Sequence, residues 1–306
     1  MDKKKKDFLT LRDYSKEEIE YMINLSSKIK KDRNLYCDLL SKKSIALLFN
    51  KQSTRTRLSF EAGITQLGGN CIYLDADSLQ IKRGETLEDS ARVFSRYLDG
   101  LVIRTFEQKT VEIFAENGTI PVINGLTDTY HPCQILSDLF TISELGLLDK
   151  SLRLTYVGDC NNVLNSLLIG FAKLGIDITV GCSQKYEPSK EILEYVYNQA
   201  EKSGSHIKLV HDPSVAVSGA DIIYTDVWVS MGEKDSEEKI AELSKFQVNE
   251  KLLSFAKPDV KIMHCLPAHR ESEITSAVID SKNSIVWQQA ENRLHAQKAL
   301  LVYLYS

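Results

Sequence analysis

The feature that most constrains this chain is a rhythm: short runs rich in isoleucine, valine and leucine alternate with longer segments of helical periodicity. The runs fall at residues 45–49, 71–74, 101–103, 121–124, 154–157, 176–181, 222–225, 261–263 and 284–287. Short, nearly continuous apolar runs suit strands covered on both faces, and strands alternating with helices suit parallel sheets. At 306 residues the chain can bury two cores. We therefore expect an α/β fold of two doubly wound domains, each with a mainly parallel sheet flanked by helices, joined by interdomain helices. The helical stretch 132–148 stands between the halves and puts the boundary near residue 145. Leu294, Leu301 and Leu304 mark a terminal helix over 291–305.

Composition narrows the function. Hydrophobic residues make up 43% and charged residues 26%, with only 15 glycines and 6 prolines, which excludes a disordered or low-complexity chain. Thirty-eight Lys and Arg against 42 Asp and Glu leave a net charge of -4, the wrong balance for a dedicated nucleic-acid binder. Any bound anion must be gripped locally. The cysteines, at 37, 71, 133, 160, 182 and 265, include no CxxC pair, as expected of reduced thiols in a cytoplasmic protein without disulfides. The lysines at 3–6 lead into Asp7 rather than an apolar run, so neither a signal peptide nor a membrane span is expected.

Chemistry gathers where apolar runs end. Ser53, Thr54, Arg55, Thr56 and Arg57 follow the run 45–49 and precede a helical pattern. Hydroxyls and open amides at a helix start bind phosphate oxygens, and arginine adds a fork. A capped helix with Arg57 paired to Glu61 accounts for the same residues equally well. His131 and Gln134 open the stretch 132–148, where a histidine also serves simply for capping or packing. Asp226, with Ser230 and Met231 beyond it, follows the run 222–225, suited to an amine or amino acid, or to capping a turn. His264, Cys265, Leu266, Pro267 and His269 follow the run 261–263, at the end where open α/β sheets place their sites. Cys265 reads as a nucleophile, a polariser or a small buried residue. His264 and His269 have no third metal ligand nearby in sequence, so no metal is expected. Residues 158–163 lack the G-x-G-x-x-G fingerprint, which argues against a nicotinamide cofactor.

In this order the motifs resemble the aspartate/ornithine carbamoyltransferase family along almost the whole chain: 53–57, 80–86, 104–106, His131-Pro132 with Gln134, 159–162, Asp226 to Gly232, and 264–267. The resemblance implies transfer of a carbamoyl group from carbamoyl phosphate to the δ-amine of L-ornithine, with no metal or organic cofactor. It implies a carbamoyl-phosphate domain at 1–145, with the helix 291–306 packing back on it, and an ornithine domain at 146–290. Ser53, Thr54, Arg55 and Thr56 would cradle the phosphate, with Arg104, His131 and Gln134 around the carbamoyl group. Asn162, Asp226, Ser230 and Met231 would hold ornithine, while Cys265, Leu266 and Arg293 complete the site. Gln80 would come from a neighbouring subunit of a homotrimer or an assembly of trimers. Arg104, His131 and Cys265 would be catalytic, and the setting arginine biosynthesis in the cytoplasm.

The chemistry is consistent with those roles. An alkyl ammonium titrates near about 10.4 and must lose its proton before attacking. Cys265 near the δ-nitrogen, working with Asp226, would orient or deprotonate it without forming a covalent bond. Arg55, Arg104 and His131 would stabilise the oxygen that gains charge, each donor worth roughly 3 kcal/mol. In the family the bond before the proline of the last motif is cis, and the same is expected at Pro267. Two alternatives stand: a carbamoyltransferase for putrescine or another amine, and a catalytically silent relative that binds carbamoyl phosphate. A Rossmann oxidoreductase is more distant.

Overall fold

The computed structural model describes residues 5–76, 79–80, 84–230 and 237–306. The chain divides into two units, residues 1–140 with 292–306 and residues 141–291.

In the first unit, strands β1 (Ser44–Phe49), β2 (Asn70–Asp75), β3 (Gly100–Arg104) and β4 (Val122–Leu126) form a parallel sheet in the order β2-β1-β3-β4. Helices α1 (Lys16–Lys31), α2 (Arg55–Gln66), α3 (Leu87–Tyr97) and α4 (Gln108–Asn117) accompany it. Local chemistry sets their starts: Ser15 and Glu18 close a capping box on α1, and the Thr86 hydroxyl accepts the Asp89 N–H at the head of α3. Ala46, Leu48, Leu101, Ile103 and Val122 of the sheet share one buried cluster with Ala91, Val111 and Phe114. Strands β1 and β3 are almost wholly buried, whereas β2, at the edge, is exposed at Asn70, Tyr73 and Asp75.

The chain enters the second unit within α5 (Pro132–Glu144) and leaves it within α12 (Val286–Tyr305). Strands β5 (Leu154–Val157), β6 (Ile178–Gly181), β7 (Ile207–Val210), β8 (Ile222–Thr225) and β9 (Lys261–His264) pair in parallel, in the order β7-β6-β5-β8-β9. Helix α6 (Asn162–Leu174) is buried over most of its length, from Val163 to Leu174. It and α7 (Lys190–Ser203) both stop at glycines in the left-handed conformation, Gly175 and Gly204. Shorter helices α8 (Pro213–Ala216), α9 (Glu237–Leu243), α10 (Glu250–Leu253) and α11 (Ser276–Ile279) fill the connections.

Each sheet reverses its winding once. The chain proceeds outward from β1 to β2 and then returns to the other side at β3; likewise it proceeds from β5 through β6 and β7 and returns at β8. A parallel sheet leaves a crevice beyond its carboxyl edge where the winding reverses. The segments following β1 and β3, and those following β5 and β8, are therefore the places where side chains can converge on a ligand.

Two expectations need correction. The run 284–287 is not a strand: Ser284 makes a single bridge to Ile262, and the Gln289 N–H to Ile285 carbonyl bond already turns the chain into α12. Its apolar side chains belong to the first turn of a long helix. Strand β7 was not expected, because the exposed Lys208 interrupts a short run at the sheet edge.

Gly158, directly after β5, holds φ at 127°, and a Cβ there would lie 3.4 Å from Thr225 Oγ1 and from Trp228 Nε1. Gly158→Ala should lower unfolding stability by about 1–3 kcal/mol, measured by urea denaturation.

Candidate active site

In the first unit, the Asn50 N–H donates to the Arg104 carbonyl at 2.8 Å, tying the segment after β1 to the end of β3. That places Ser53 to Thr56, which open α2, at the reversal point with Arg104. Ser53 Oγ accepts the Thr56 N–H at 3.2 Å, fixing the first turn from outside the helix. Thr54 and Arg55 are not buried, but Thr56 is, and so are Arg104, His131, Gln134 and Arg293. Arg293, from α12, donates through Nη1 to Gln134 Oε1 at 2.5 Å and through Nη2 to Thr56 Oγ1 at 3.0 Å. Gln134 in turn donates to Asp138 at 2.9 Å. One guanidinium thus locks the helix that follows β1 to the helix that follows β4.

His131 lies among these cations. Burial, and then Arg293, Arg104 and Arg55, hold its imidazole well below the ordinary histidine range. A neutral imidazole beside three guanidiniums can donate or accept a hydrogen bond without adding a fourth positive charge. Arg57 has a different role: it pairs with Glu61 at 2.8 Å and lies over the Tyr73 ring at 3.7 Å, the structural reading of that residue.

In the second unit the site grows from β5, β8 and β9. Asp226, buried just after β8, accepts at both carboxylate oxygens: from Cys265 Sγ at 2.9 Å and from Asn161 Nδ2 at 2.8 Å. Asn161 also caps α6, its Oδ1 accepting the Val163 and Leu164 N–H groups. Asn162 is the first residue of α6, and Ser230 is half-buried after β8. Asp159 holds the buried Lys239 at 3.0 Å, and its carbonyl accepts the Tyr156 hydroxyl at 2.8 Å. Leu266 precedes a cis peptide bond to Pro267 and has φ at 57°, a left-handed backbone costing a non-glycine residue about 1–2 kcal/mol.

Sequence reasoning missed Asn161, Lys239 and Glu273. Asn161 had a signal, since an Asn before an apolar helix is an N-cap; the other two are brought in by tertiary folding alone. Asp226, just after β8, His264 and Cys265 bring ligand atoms within 4.8 Å of one another. Both ring nitrogens of His264 are nevertheless engaged, Nδ1 by the Leu266 N–H and Nε2 by Glu273. Gln80 is exposed, and among the described residues no hydrogen bond or ion pair joins it to Arg293, Thr56 or Gln134. Met231 lies outside the described residues.

Comparison with known proteins gives the family. The model of the aspartate/ornithine carbamoyltransferase carbamoyl-P binding domain matches residues 6–144, and that of the Asp/Orn binding domain matches residues 150–304. The chain belongs to the aspartate/ornithine carbamoyltransferase family. It is 50% identical over 300 residues to an ornithine carbamoyltransferase of Bacillus thuringiensis subsp. konkukian, covering 98% of this chain and 94% of that protein. The solved structure of ornithine carbamoyltransferase from Pyrococcus furiosus is 48% identical, with a TM-score of 0.93 over 97% of this chain and 96% of that one. The anabolic ornithine carbamoyltransferase of Campylobacter jejuni is 42% identical, with a TM-score of 0.93 over 98% of each chain.

Because the folded pKa of His131 lies below that of the unfolded chain, the unfolded state binds the extra proton first as pH falls through about 6.5. Stability from this residue is intact above that value and lost below it. His131→Asn should therefore lose less Tm than the wild type between about pH 7.5 and about pH 5.5, as read by thermal denaturation.

Proposed function

We propose that this chain transfers the carbamoyl group of carbamoyl phosphate to the δ-amine of L-ornithine, giving L-citrulline and phosphate. The observation that carries the reading is the concentration of Arg55, Arg104 and Arg293 around a neutral His131 in a protein whose net charge is negative. Such a cluster suits an anion that is released as phosphate. The first unit takes carbamoyl phosphate: Ser53, Thr54, Arg55 and Thr56 cradle the phosphate, and Arg104, His131 and Gln134 face the carbamoyl group. The second unit takes ornithine through Asn162, Asp226, Ser230 and Met231, with Cys265 and Leu266 beside the amine.

Attack of the neutral amine on the carbamoyl carbon forms a C–N bond and moves charge onto the carbonyl oxygen, which Arg104 and His131 stabilise. Collapse breaks the C–O bond and releases phosphate to Arg55 and the head of α2. Asp226 offers a base at the end of a relay through the Cys265 thiol, which donates to it at 2.9 Å. No covalent intermediate forms on Cys265, and no resident metal or organic cofactor is required. The exposure of Gln80 supports its being lent to a neighbouring subunit of a homotrimer or an assembly of trimers. Arginine biosynthesis in the cytoplasm is the setting we assign, in keeping with the anabolic relative from Campylobacter jejuni. No described helix is long and apolar enough to cross a membrane.

Phosphate release measured with carbamoyl phosphate and ornithine, putrescine, N-acetylornithine or aspartate tests the acceptor. Ornithine should give the largest kcat/KM; a larger value for putrescine overturns the assignment. Arg55→Ala should cost about 2–4 kcal/mol of transition-state stabilisation in kcat/KM. Cys265→Ala should slow ornithine turnover while carbamoyl phosphate binding, followed by calorimetry, is largely kept.

A further inference from the structure

We propose that Cys160 and Cys182 form a reversible disulfide at the carboxyl edge of β5 and β6, an oxidation site that loosens the ornithine side of the proposed active site. The bond itself stands on the geometry of the second unit; its effect on ornithine rests on the functional reading above.

The two cysteines come from neighbouring strands. Val157, the last residue of β5, pairs with Gly181, the last of β6, and the Gly158 N–H donates to the Gly181 carbonyl at 3.0 Å. Cys160 and Cys182 therefore leave the sheet side by side, and their thiols meet in a hydrogen bond. Both are free thiols; Cys182 is wholly buried and Cys160 is partly open to solvent. An oxidant thus reaches Cys160 first, with Cys182 standing directly behind it. The Cys182 thiol and burial, with the Asp159 and Glu187 carboxylates nearby, push the Cys160 thiol well above its ordinary range. A thiol held protonated is a slow nucleophile, so the pair is silent in brief contact with an oxidant and responds to a sustained one. Proximity then favours the second step, since Cys182 is already in place to attack.

The oxidant is a low-molecular-weight disulfide. The Cys160 sulfur, as thiolate, attacks one sulfur of that disulfide, forming a mixed disulfide and expelling one thiolate. Cys182 then attacks Cys160 Sγ, forming the intramolecular bond and expelling the second thiolate. The two protons lost by the cysteines go to the two released thiolates, so the protein is oxidised by two electrons and the reagent reduced by two. A covalent S–S bond is shorter than a hydrogen bond between thiols, so one backbone must follow its sulfur. Cys182 is tied down: its N–H donates to the Val210 carbonyl at 3.1 Å, and its own carbonyl accepts from His211 Nδ1 at 3.0 Å. Next to it, Ser183 Oγ donates to Glu242 at 2.8 Å. The turn at 159–161 therefore moves. Within that turn the Asn161 N–H donates to the Asp159 carbonyl at 3.0 Å, and Asn161 Nδ2 holds Asp226 at 2.8 Å. Drawing Cys160 toward β6 pulls this amide off Asp226 and displaces Asn162, the residue that follows.

The test uses full-length wild type, Cys160→Ala and Cys182→Ala, with folding checked by circular dichroism. Each is equilibrated with mixtures of reduced and oxidised glutathione, quenched with N-ethylmaleimide and digested for peptide-resolved mass spectrometry. The exposed Cys37 reports mixed disulfides with glutathione in the same samples. Wild type should yield a linked pair of peptides, two hydrogen masses lighter than their sum, that dithiothreitol separates. In the linked form KM for ornithine should rise about five-fold or more, with KM for carbamoyl phosphate held within about two-fold. Both variants, when reduced, should keep wild-type kinetics within about two-fold, and neither should change its ornithine KM on oxidation.

Absence of the linked peptides at every glutathione ratio overturns the proposal. So does a rise in ornithine KM that persists in either variant, which assigns the effect to another thiol such as Cys265. If Cys182→Ala does not fold, Cys160→Ala, at the more open position, decides the question. A reduced wild type that does not carbamoylate ornithine refutes the functional reading, while the linked peptides still decide the disulfide.

Discussion

The reversal of strand order is the constraint on which the rest of the structure depends. In a parallel sheet every strand ends on the same edge, so loops crowd that edge until the winding changes direction. Between β1 and β3, and again between β5 and β8, the following helices leave on opposite sides and a crevice remains. Arg104 is the last residue of β3, and Asp226 follows the last residue of β8. Their positions need no special loop conformation; they follow from the order in which the strands were laid down.

What fills the two crevices differs in kind. In the first unit the recurrent element is arginine, and its consequence is electrostatic: burial and three cations hold His131 well below the ordinary histidine range, so that it adds no further positive charge. In the second unit the recurrent element is the amide or thiol hydrogen bond, with Asp226 accepting from Asn161 and Cys265. The overall charge of -4 predicts neither pocket, because charges a few ångströms apart in a low-dielectric crevice interact strongly while distant surface charges are screened by solvent.

Much of this was legible in the chain before any coordinate. The buried strands β1, β3, β5 and β8 read clearly because they have no polar face to blur the pattern, and the motifs at their carboxyl ends lie next to them in sequence. Strand β7 did not read, since an edge strand tolerates Lys208 in its middle. The entry to α12 resembles a strand because Ile285, Val286 and Trp287 make a short apolar run, although Trp287 is exposed. Within the site, Asn161 and the head of α2 obey local rules. Lys239 against Asp159 is a pairing across 80 residues, and Glu273 against His264 one across nine irregular residues, that no local pattern encodes.

Arg293 holds a consequence for how the molecule is made. The first unit needs residues 292–306, so it cannot close until they have been made, whereas the second is continuous from 141 to 291. Domains tend to form as they emerge. The later-numbered unit can therefore be the first to finish, while the opening residues wait with their sheet formed but Thr56 and Gln134 unclamped. A ribosome that stops before codon 293 releases a chain whose anion pocket lacks its keystone, although every strand of both sheets has already been translated.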